Sequence, residues 1–253
     1  MEGSAALMLF GAGLAGGVVT AVVGGASLIT FPALLAAGLP AIVANASNTV
    51  ALTPGNLVAG LADLERFPPW DRSFVGLILV CILGSVAGAA LLLLTPDRAF
   101  TAVVPLLIGF ATILFAAAGP IRGWITARAG DGANHGRGLL LFVPVAVYGG
   151  YFGAGMSVML LALLSVSRGD DFRATNVLKN LMSGLTSFVA VVVFVVQGVV
   201  AWPATLVMMA GALVGGFAGG RLVRLLPPAP VRAIVVAAGA VLTVVYAWRY
   251  WLR

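Results

Sequence analysis

The sequence predicts an all-α polytopic membrane protein, and three observations predict it. Hydrophobic residues make up 61% of the chain and charged residues only 9%. Mean hydropathy is +1.12. Apolar runs recur along the whole chain, including those around 139–147, 189–196 and 234–245, and they are long enough at about 1.5 Å per helical residue to cross a hydrocarbon core. A soluble domain of 253 residues has too much surface to clothe with so few charges. Lipid satisfies no backbone polar group, so the runs must be helical. They also lack the period-two alternation of barrel strands.

In chain order, long apolar segments are expected at 5–23, 44–63, 73–94, 99–119, 139–153, 175–197, 203–223 and 231–249. Two shorter apolar pieces, 27–38 and 157–167, follow glycine-rich breaks. A piece of roughly a dozen residues is short for a span and fits a re-entrant half-helix or a steeply bent helix. If 5–38 and 139–167 are hairpins that enter and leave on one side, Arg66, Arg72, Arg122, Arg128, Arg137, Arg168, Arg173, Arg221, Arg224 and Arg232 fall on one face. The other face keeps only Arg98, Arg249 and Arg253. That asymmetry is a positive-inside pattern, and treating the hairpins as full spans would weaken it.

This arrangement gives two inverted repeats, each a glycine-broken helical hairpin plus three transmembrane helices. Residues 1–119 form the first repeat, 120–138 a cytoplasmic linker, and 139–253 the second repeat. A faint internal likeness supports the duplication: Gly24-Gly25-Ala26-Ser27 resembles Gly153-Ala154-Gly155-Met156-Ser157, and 45–56 aligns with 176–187 at a constant offset. Inverted repeats with interrupted helices at matching positions are how many secondary transporters build a midplane site.

Several function classes drop out. The net charge of +6 and pI near 10.4 invite a nucleic-acid reading. However, the arginines lie singly or in pairs between apolar runs, as topology signals do, and form no phosphate-binding face. The one cysteine, Cys81, allows no disulfide within the chain and is expected to pack in an apolar run. The start Met1-Glu2-Gly3 carries no positive n-region, so a cleaved signal peptide is not expected. Gly11–Gly16 fits GxGxxG, but no strand precedes it and no acid stands about 20 residues on, so no dinucleotide cofactor is expected. A hydrolase would need a nucleophile with its base, or metal ligands. One linker histidine (His135), one apolar cysteine and no core carboxylate supply neither.

The eight acids, Glu2, Asp63, Glu65, Asp71, Asp97, Asp131, Asp170 and Asp171, all map to termini, loops or span ends. A cation carrier places carboxylates in the membrane core, so their absence there points away from cations. An anion needs donors and positive potential instead. Each glycine break frees the N-terminal amides of the short helix that follows, and Gly24, Gly25, Gly153 and Gly155 mark those breaks. Ser27 and Ser157 stand at the two N-termini, as hydroxyl donors or as N-caps. Lys179 is the only basic residue well inside a span, about 9 Å past Arg173. It either snorkels to the interface or pairs with an anion. Its stretch holds Thr175, Asn176, Asn180, Ser183, Thr186 and Ser187; the matching first-repeat stretch holds Asn45, Ser47, Asn48, Thr49, Thr53 and Asn56. Such density of polar side chains suggests a protein-lined cavity, with interhelical hydrogen bonding as the plainer reading. Pro54 would interrupt the local helical ladder there.

The segment 24–39 (GGASLITFPALLAAGL), followed by Ser47-Asn48 and Pro54-Gly55-Asn56, resembles the first-repeat signature of the TauE/SafE family of sulfite exporters. The segment 148–155 (YGGYFGAG), followed by Thr186-Ser187, resembles the second-repeat signature. The resemblance covers nearly the whole chain. It implies movement, most naturally export, of sulfite, thiosulfate, sulfoacetate or a related organic anion across the cytoplasmic membrane. Two positions depart from the family pattern: Ser47-Asn48 replaces Thr-Asn, and Lys179 stands where a small polar residue is usual.

The expected function is therefore alternating-access transport of a small anion. The expected binding residues are Gly24, Gly25, Ser27, Asn45, Ser47, Asn48, Gly153, Gly155, Ser157, Asn176, Lys179 and Asn180. No metal or cofactor is expected. The expected partners are the anion and the lipid bilayer. Gly84/Gly88 and Gly211/Gly215/Gly219 have the spacing of close helix contacts, within the chain or in a homodimer. An anion channel and a non-transporting membrane scaffold are the alternatives.

Overall fold

The structure is a computed structural model that describes residues 3–22, 25–61, 70–128, 135–168, 172–222 and 228–252. Among these residues there are ten α-helices and no strand: α1 Gly3–Val22, α2 Ser27–Ala36, α3 Ala41–Leu61, α4 Arg72–Leu94, α5 Asp97–Arg128, α6 His135–Tyr151, α7 Met156–Arg168, α8 Phe172–Val196, α9 Trp202–Leu222 and α10 Pro228–Trp251. The 120–138 stretch read as a linker thus contributes the end of α5 and the start of α6. Six helices (α1, α4, α5, α8, α9 and α10) are long and apolar enough to cross a membrane by length and composition. The two short pieces expected after the glycine breaks are α2 and α7.

Local chemistry explains several boundaries. Asp71 caps α4 by accepting the Phe74 amide at 2.6 Å. At the other end the Thr95 hydroxyl returns to the Leu91 carbonyl at 2.7 Å, and Pro96 follows. After α2, Gly38 adopts φ +89, with Gly38 N bonded to Leu35 O at 3.1 Å and Leu39 N to Leu34 O at 3.2 Å. This is the paired bonding that stops a helix on a left-handed glycine. Gly198 ends α8 in the same way, through its own bond to Val195 O and that of Val199 N to Phe194 O.

The packing pairs helices far apart in sequence. α1 lies mainly against α9 and α6 against α4, while α3 packs on α8 and α5 on α10. Relabelling α1–α5 as α6–α10 exchanges these contacts: α1/α9 becomes α6/α4, α2/α3 becomes α7/α8, and α2/α10 becomes α7/α5.

Glycine makes the two long seams possible. A Cβ on Gly88 would fall 2.0 Å from Val147 O, and one on Gly84 would fall 2.5 Å from Ala146 Cβ, both on α6. On α9, a Cβ on Gly215 would fall 2.0 Å from Leu14 O and one on Gly211 would fall 2.2 Å from Phe10 O. The α1 glycines Gly13 and Gly17 answer with equally close approaches to Met208 O and Ala212 O. Both glycine faces that the sequence offered for a close contact or a homodimer are therefore filled from within the chain, which corrects the dimer reading of them.

Outward-facing positions are apolar. Leu83, Ile113, Phe217 and Val244 each leave about two thirds of their surface exposed. In water such a belt would be a liability, whereas in a bilayer it is the solvent-facing surface. Inside, one apolar cluster gathers Phe31, Phe100, Phe115, Phe152 and Phe194. A second holds Phe74, Cys81, Phe142, Leu160 and Met182. Cys81 packs as expected, buried with its sulfur 3.7 Å from that of Met182.

Candidate functional site

The first hairpin turns at Gly25, whose φ of +91 lies where only glycine sits without strain. Ala26 is the N-cap of α2 and carries no side-chain cap. Ser27 is already the first helical residue, one position past the cap, which removes its N-cap alternative. Its hydroxyl instead accepts from Asn48 Nδ2 on α3, at 3.2 Å. Asn48 Oδ1 in turn accepts from the Thr30 hydroxyl, at 2.5 Å. Asn48 and Thr30 are both fully buried.

The second hairpin breaks between Gly153, φ +77, and Gly155, φ +83. Tyr148 stitches the break, donating its phenol proton to the Ala154 carbonyl at 2.6 Å. The helix restarts with Met156 N on Gly153 O and Val158 N on Gly155 O. Ser157, the second residue of α7, lies with its hydroxyl 3.2 Å from that of Ser183 on α8. At both breaks, the amides of Ala26, Ser27, Ala154, Gly155 and Ser157 find no backbone carbonyl among the described residues. These are the orphan donors that every helix N-terminus exposes.

The two hairpins meet. Phe31 of α2 lies edge-on to Phe152 at the second break, with ring centroids 5.3 Å apart. One turn of α5 serves both breaks: a Cβ on Gly25 would strike the Phe115 ring at 2.2 Å, and one on Gly155 would lie 3.2 Å from Leu114 and 3.5 Å from Ala111. Asn45 ties the first half to the second break by donating to the Tyr151 carbonyl at 2.9 Å. Its own Oδ1 is buried with no partner. Asn45→Ala should cost about 1 kcal/mol, since the penalty of leaving Tyr151 O unpaired is partly offset by removal of the partnerless Oδ1. The check is the melting temperature of the detergent-solubilised protein, and an unchanged value would show the contact to be idle.

The expected site residues divide into groups. Gly25, Ser27 and Asn48 gather at the first break, with Gly153, Gly155 and Ser157 at the second. Asn45 bridges to the second break. Ser47 has a structural task, accepting the Ala201 amide at 3.0 Å and so pinning the start of α9. Lys179 donates to Asn176 Oδ1, three residues back on its own helix, at 2.8 Å, with half-buried Asn180 next in the chain. Gly24 lies outside the described residues. Pro54 sits within α3, which continues past it. Thr49 and Thr53 turn their hydroxyls back onto the carbonyls of Asn45 and Thr49.

Three contributors escaped the sequence reading. Thr30 had a signal: it is the one polar side chain in α2 besides Ser27, and it stands one helical turn after it. Tyr148 lay within YGGYFGAG itself. Phe115 had none, being one of three phenylalanines (Phe100, Phe110 and Phe115) along the same helix.

The family model described as "Sulfite exporter TauE/SafE" matches residues 9–246. A "Probable membrane transporter protein" of Haemophilus influenzae is 29% identical over 93% of this chain and 92% of its own. "Probable membrane transporter protein ORF9" of a Sinorhizobium species is 28% identical over 84% of this chain and 81% of its own. "Probable membrane transporter protein YfcA" of Escherichia coli K12 is 26% identical over 93% of this chain and 87% of its own. No solved structure matches the chain. With six span-length apolar helices among its described residues, this multi-pass membrane transporter belongs to the sulfite exporter TauE/SafE family.

Proposed function

We propose that the chain is a secondary transporter that exports a small sulfur-containing or organic anion, of the sulfite, thiosulfate or sulfoacetate class, across the cytoplasmic membrane by alternating access. The observation that carries this reading is the meeting of two glycine-broken hairpins, each opening a helix N-terminus beside a serine. Phe31 against Phe152 and the shared turn of α5 hold those breaks together. Unpaired amides at a helix start, with the positive end of the helix dipole, favour an anion without any fixed counter-ion. Ser27 with Asn48 and Ser157 with Ser183 add neutral donors, and Lys179 adds a positive charge from α8. A sulfur oxyanion has several acceptor oxygens, which suits such a divided donor set.

In this reading, residues 1–119 and 139–253 are inverted repeats, and the arginine-rich ends, with the segment 120–138, face the cytoplasm. The exchange of contacts under relabelling supports a repeat, and the arginine distribution supports its inversion. The two breaks then enter from opposite sides and form one seat that opens to each side in turn.

Uptake and counterflow in proteoliposomes test the proposal, with sulfite, thiosulfate and sulfoacetate as probes. Flux should saturate and show countertransport, which a channel does not. Hydrogen bonds to charged groups are worth about 1.5–3 kcal/mol, so Asn48→Ala combined with Lys179→Ala should raise KM by about tenfold or more. Unchanged flux in that double variant would show the site to be misassigned. A scaffold would show no anion-dependent rise in melting temperature.

A further inference from the structure

We infer that Thr30, buried one turn inside α2, is a positioning residue that fixes the polarity of the Asn48 amide, so that the first hairpin break offers the anion an outward-pointing Ser27 proton. The inference rests on the proposed anion seat and names what sets its hydrogen-bond direction.

Thr30 Oγ1 and Asn48 Oδ1 are 2.5 Å apart. Two oxygens approach that closely only with a proton between them, and an amide oxygen has none to give. The proton therefore belongs to Thr30, and Asn48 accepts. The distance also suits an O–H···O bond, whose range is about 2.5–3.0 Å, better than an N–H···O bond. The other possible acceptor for the Thr30 proton, the Ala26 carbonyl at 3.0 Å, already takes the amides of Ile29 and Thr30.

With Oδ1 facing Thr30, the amide nitrogen of Asn48 must face the opposite way, and there it donates to Ser27 Oγ at 3.2 Å. Ser27 is thereby an acceptor toward Asn48. Its single proton is left for whatever occupies the break. The chain of donors runs Thr30 to Asn48 to Ser27, each bond pointing the same way.

Rotating the Asn48 amide by half a turn would reverse this chain. Oδ1 would then face Ser27, which would spend its proton inward and turn a lone pair toward the break. An anion would meet a repelling oxygen in place of a donor. The carboxamide alone does not choose between the two states, because its nitrogen and oxygen are nearly the same size. Thr30 makes the choice, from a position that need not touch the anion.

The experiment compares Thr30→Val, which keeps the shape and loses the proton, with Thr30→Ser, which keeps the proton. Saturable flux of thiosulfate, sulfite and sulfoacetate is measured in proteoliposomes alongside melting temperature. Thr30→Val should raise the KM for the transported anion about fivefold or more, with the maximal rate within about twofold of the parent, and Thr30→Ser should restore the parental KM. If Thr30→Val does not assemble, Thr30→Ala, which removes the hydroxyl without adding bulk, carries the same expectation.

Ser27→Ala and Asn48→Ala separate the two levels of the reading. If both raise KM and Thr30→Val does not, the polarity role is overturned and the seat stands. A Thr30→Ser variant as impaired as Thr30→Val overturns it too, since packing would then be the cause. If neither Ser27→Ala nor Asn48→Ala affects KM, or none of the three anions is transported, the seat falls and the role of Thr30 falls with it.

Discussion

Replacing Gly88 with leucine is expected to leave little folded transporter. A Cβ at this position would lie 2.0 Å from Val147 O and 2.8 Å from Tyr151 N. Both atoms are backbone of α6, which cannot swing aside as a flexible side chain can. Overpacking ordinarily costs about 1–3 kcal/mol, and a clash against a helix backbone belongs at or beyond the top of that range. Gly215→Leu makes the same test on the α1/α9 seam, where the Cβ would lie 2.0 Å from Leu14 O. Gly216, the next residue on α9, has nothing within 4 Å of its Cβ position, so Gly216→Leu should behave like the parent. Size-exclusion profiles in detergent and melting temperatures distinguish them. A Gly88→Leu protein as monodisperse and heat-resistant as the Gly216 control would remove the seam from the account of the fold.

The next-largest effect is expected at Gly25. Alanine there must adopt φ near +91, at a cost of about 1–2 kcal/mol, and its Cβ would strike the Phe115 ring at 2.2 Å. Gly38 separates the two costs. It has nearly the same φ of +89 but nothing within 4 Å, so Gly38→Ala should lose only the conformational share. Gly25→Ala should melt lower than Gly38→Ala and should lose anion flux as well, because moving Phe115 or the break disturbs the turn of α5 that both hairpins share. Equal melting temperatures for the two variants would mean that Phe115 does not fill the break.

Much of this was legible in the sequence because membrane helices and glycine breaks leave local marks. Apolar length alone announced most of the helices, and the two glycine runs announced where α2 and α7 would begin. The polar faces of α3 and α8 were legible for the same reason, since polar side chains in an apolar span need an explanation. Partnership was not legible. Glycines spaced four apart along α9 announce that something comes close without saying what, and the answer, α1, lies nearly the whole chain away. Direction was not legible either. Helical rise gave the depth of Lys179 but not its bond to Asn176, which depends on which way a long flexible side chain turns. The N-cap reading of Ser27 failed by one residue, because the chain turns into the helix at Ala26, which takes the cap position.

The α1/α9 seam also bears on the order of synthesis. α1 is made before the other nine described helices, and its glycine groove stays empty while α2 to α8 are completed. A lone helix tolerates that wait in lipid, because its backbone bonds are internal and no polar group is stranded. The seam then closes by van der Waals contact once α9 arrives. Nothing local to the first half can complete it sooner. A chain that stops before residue 202 therefore carries an α1 with no partner for its groove, so the first of these ten helices to be made is among the last to be locked in place.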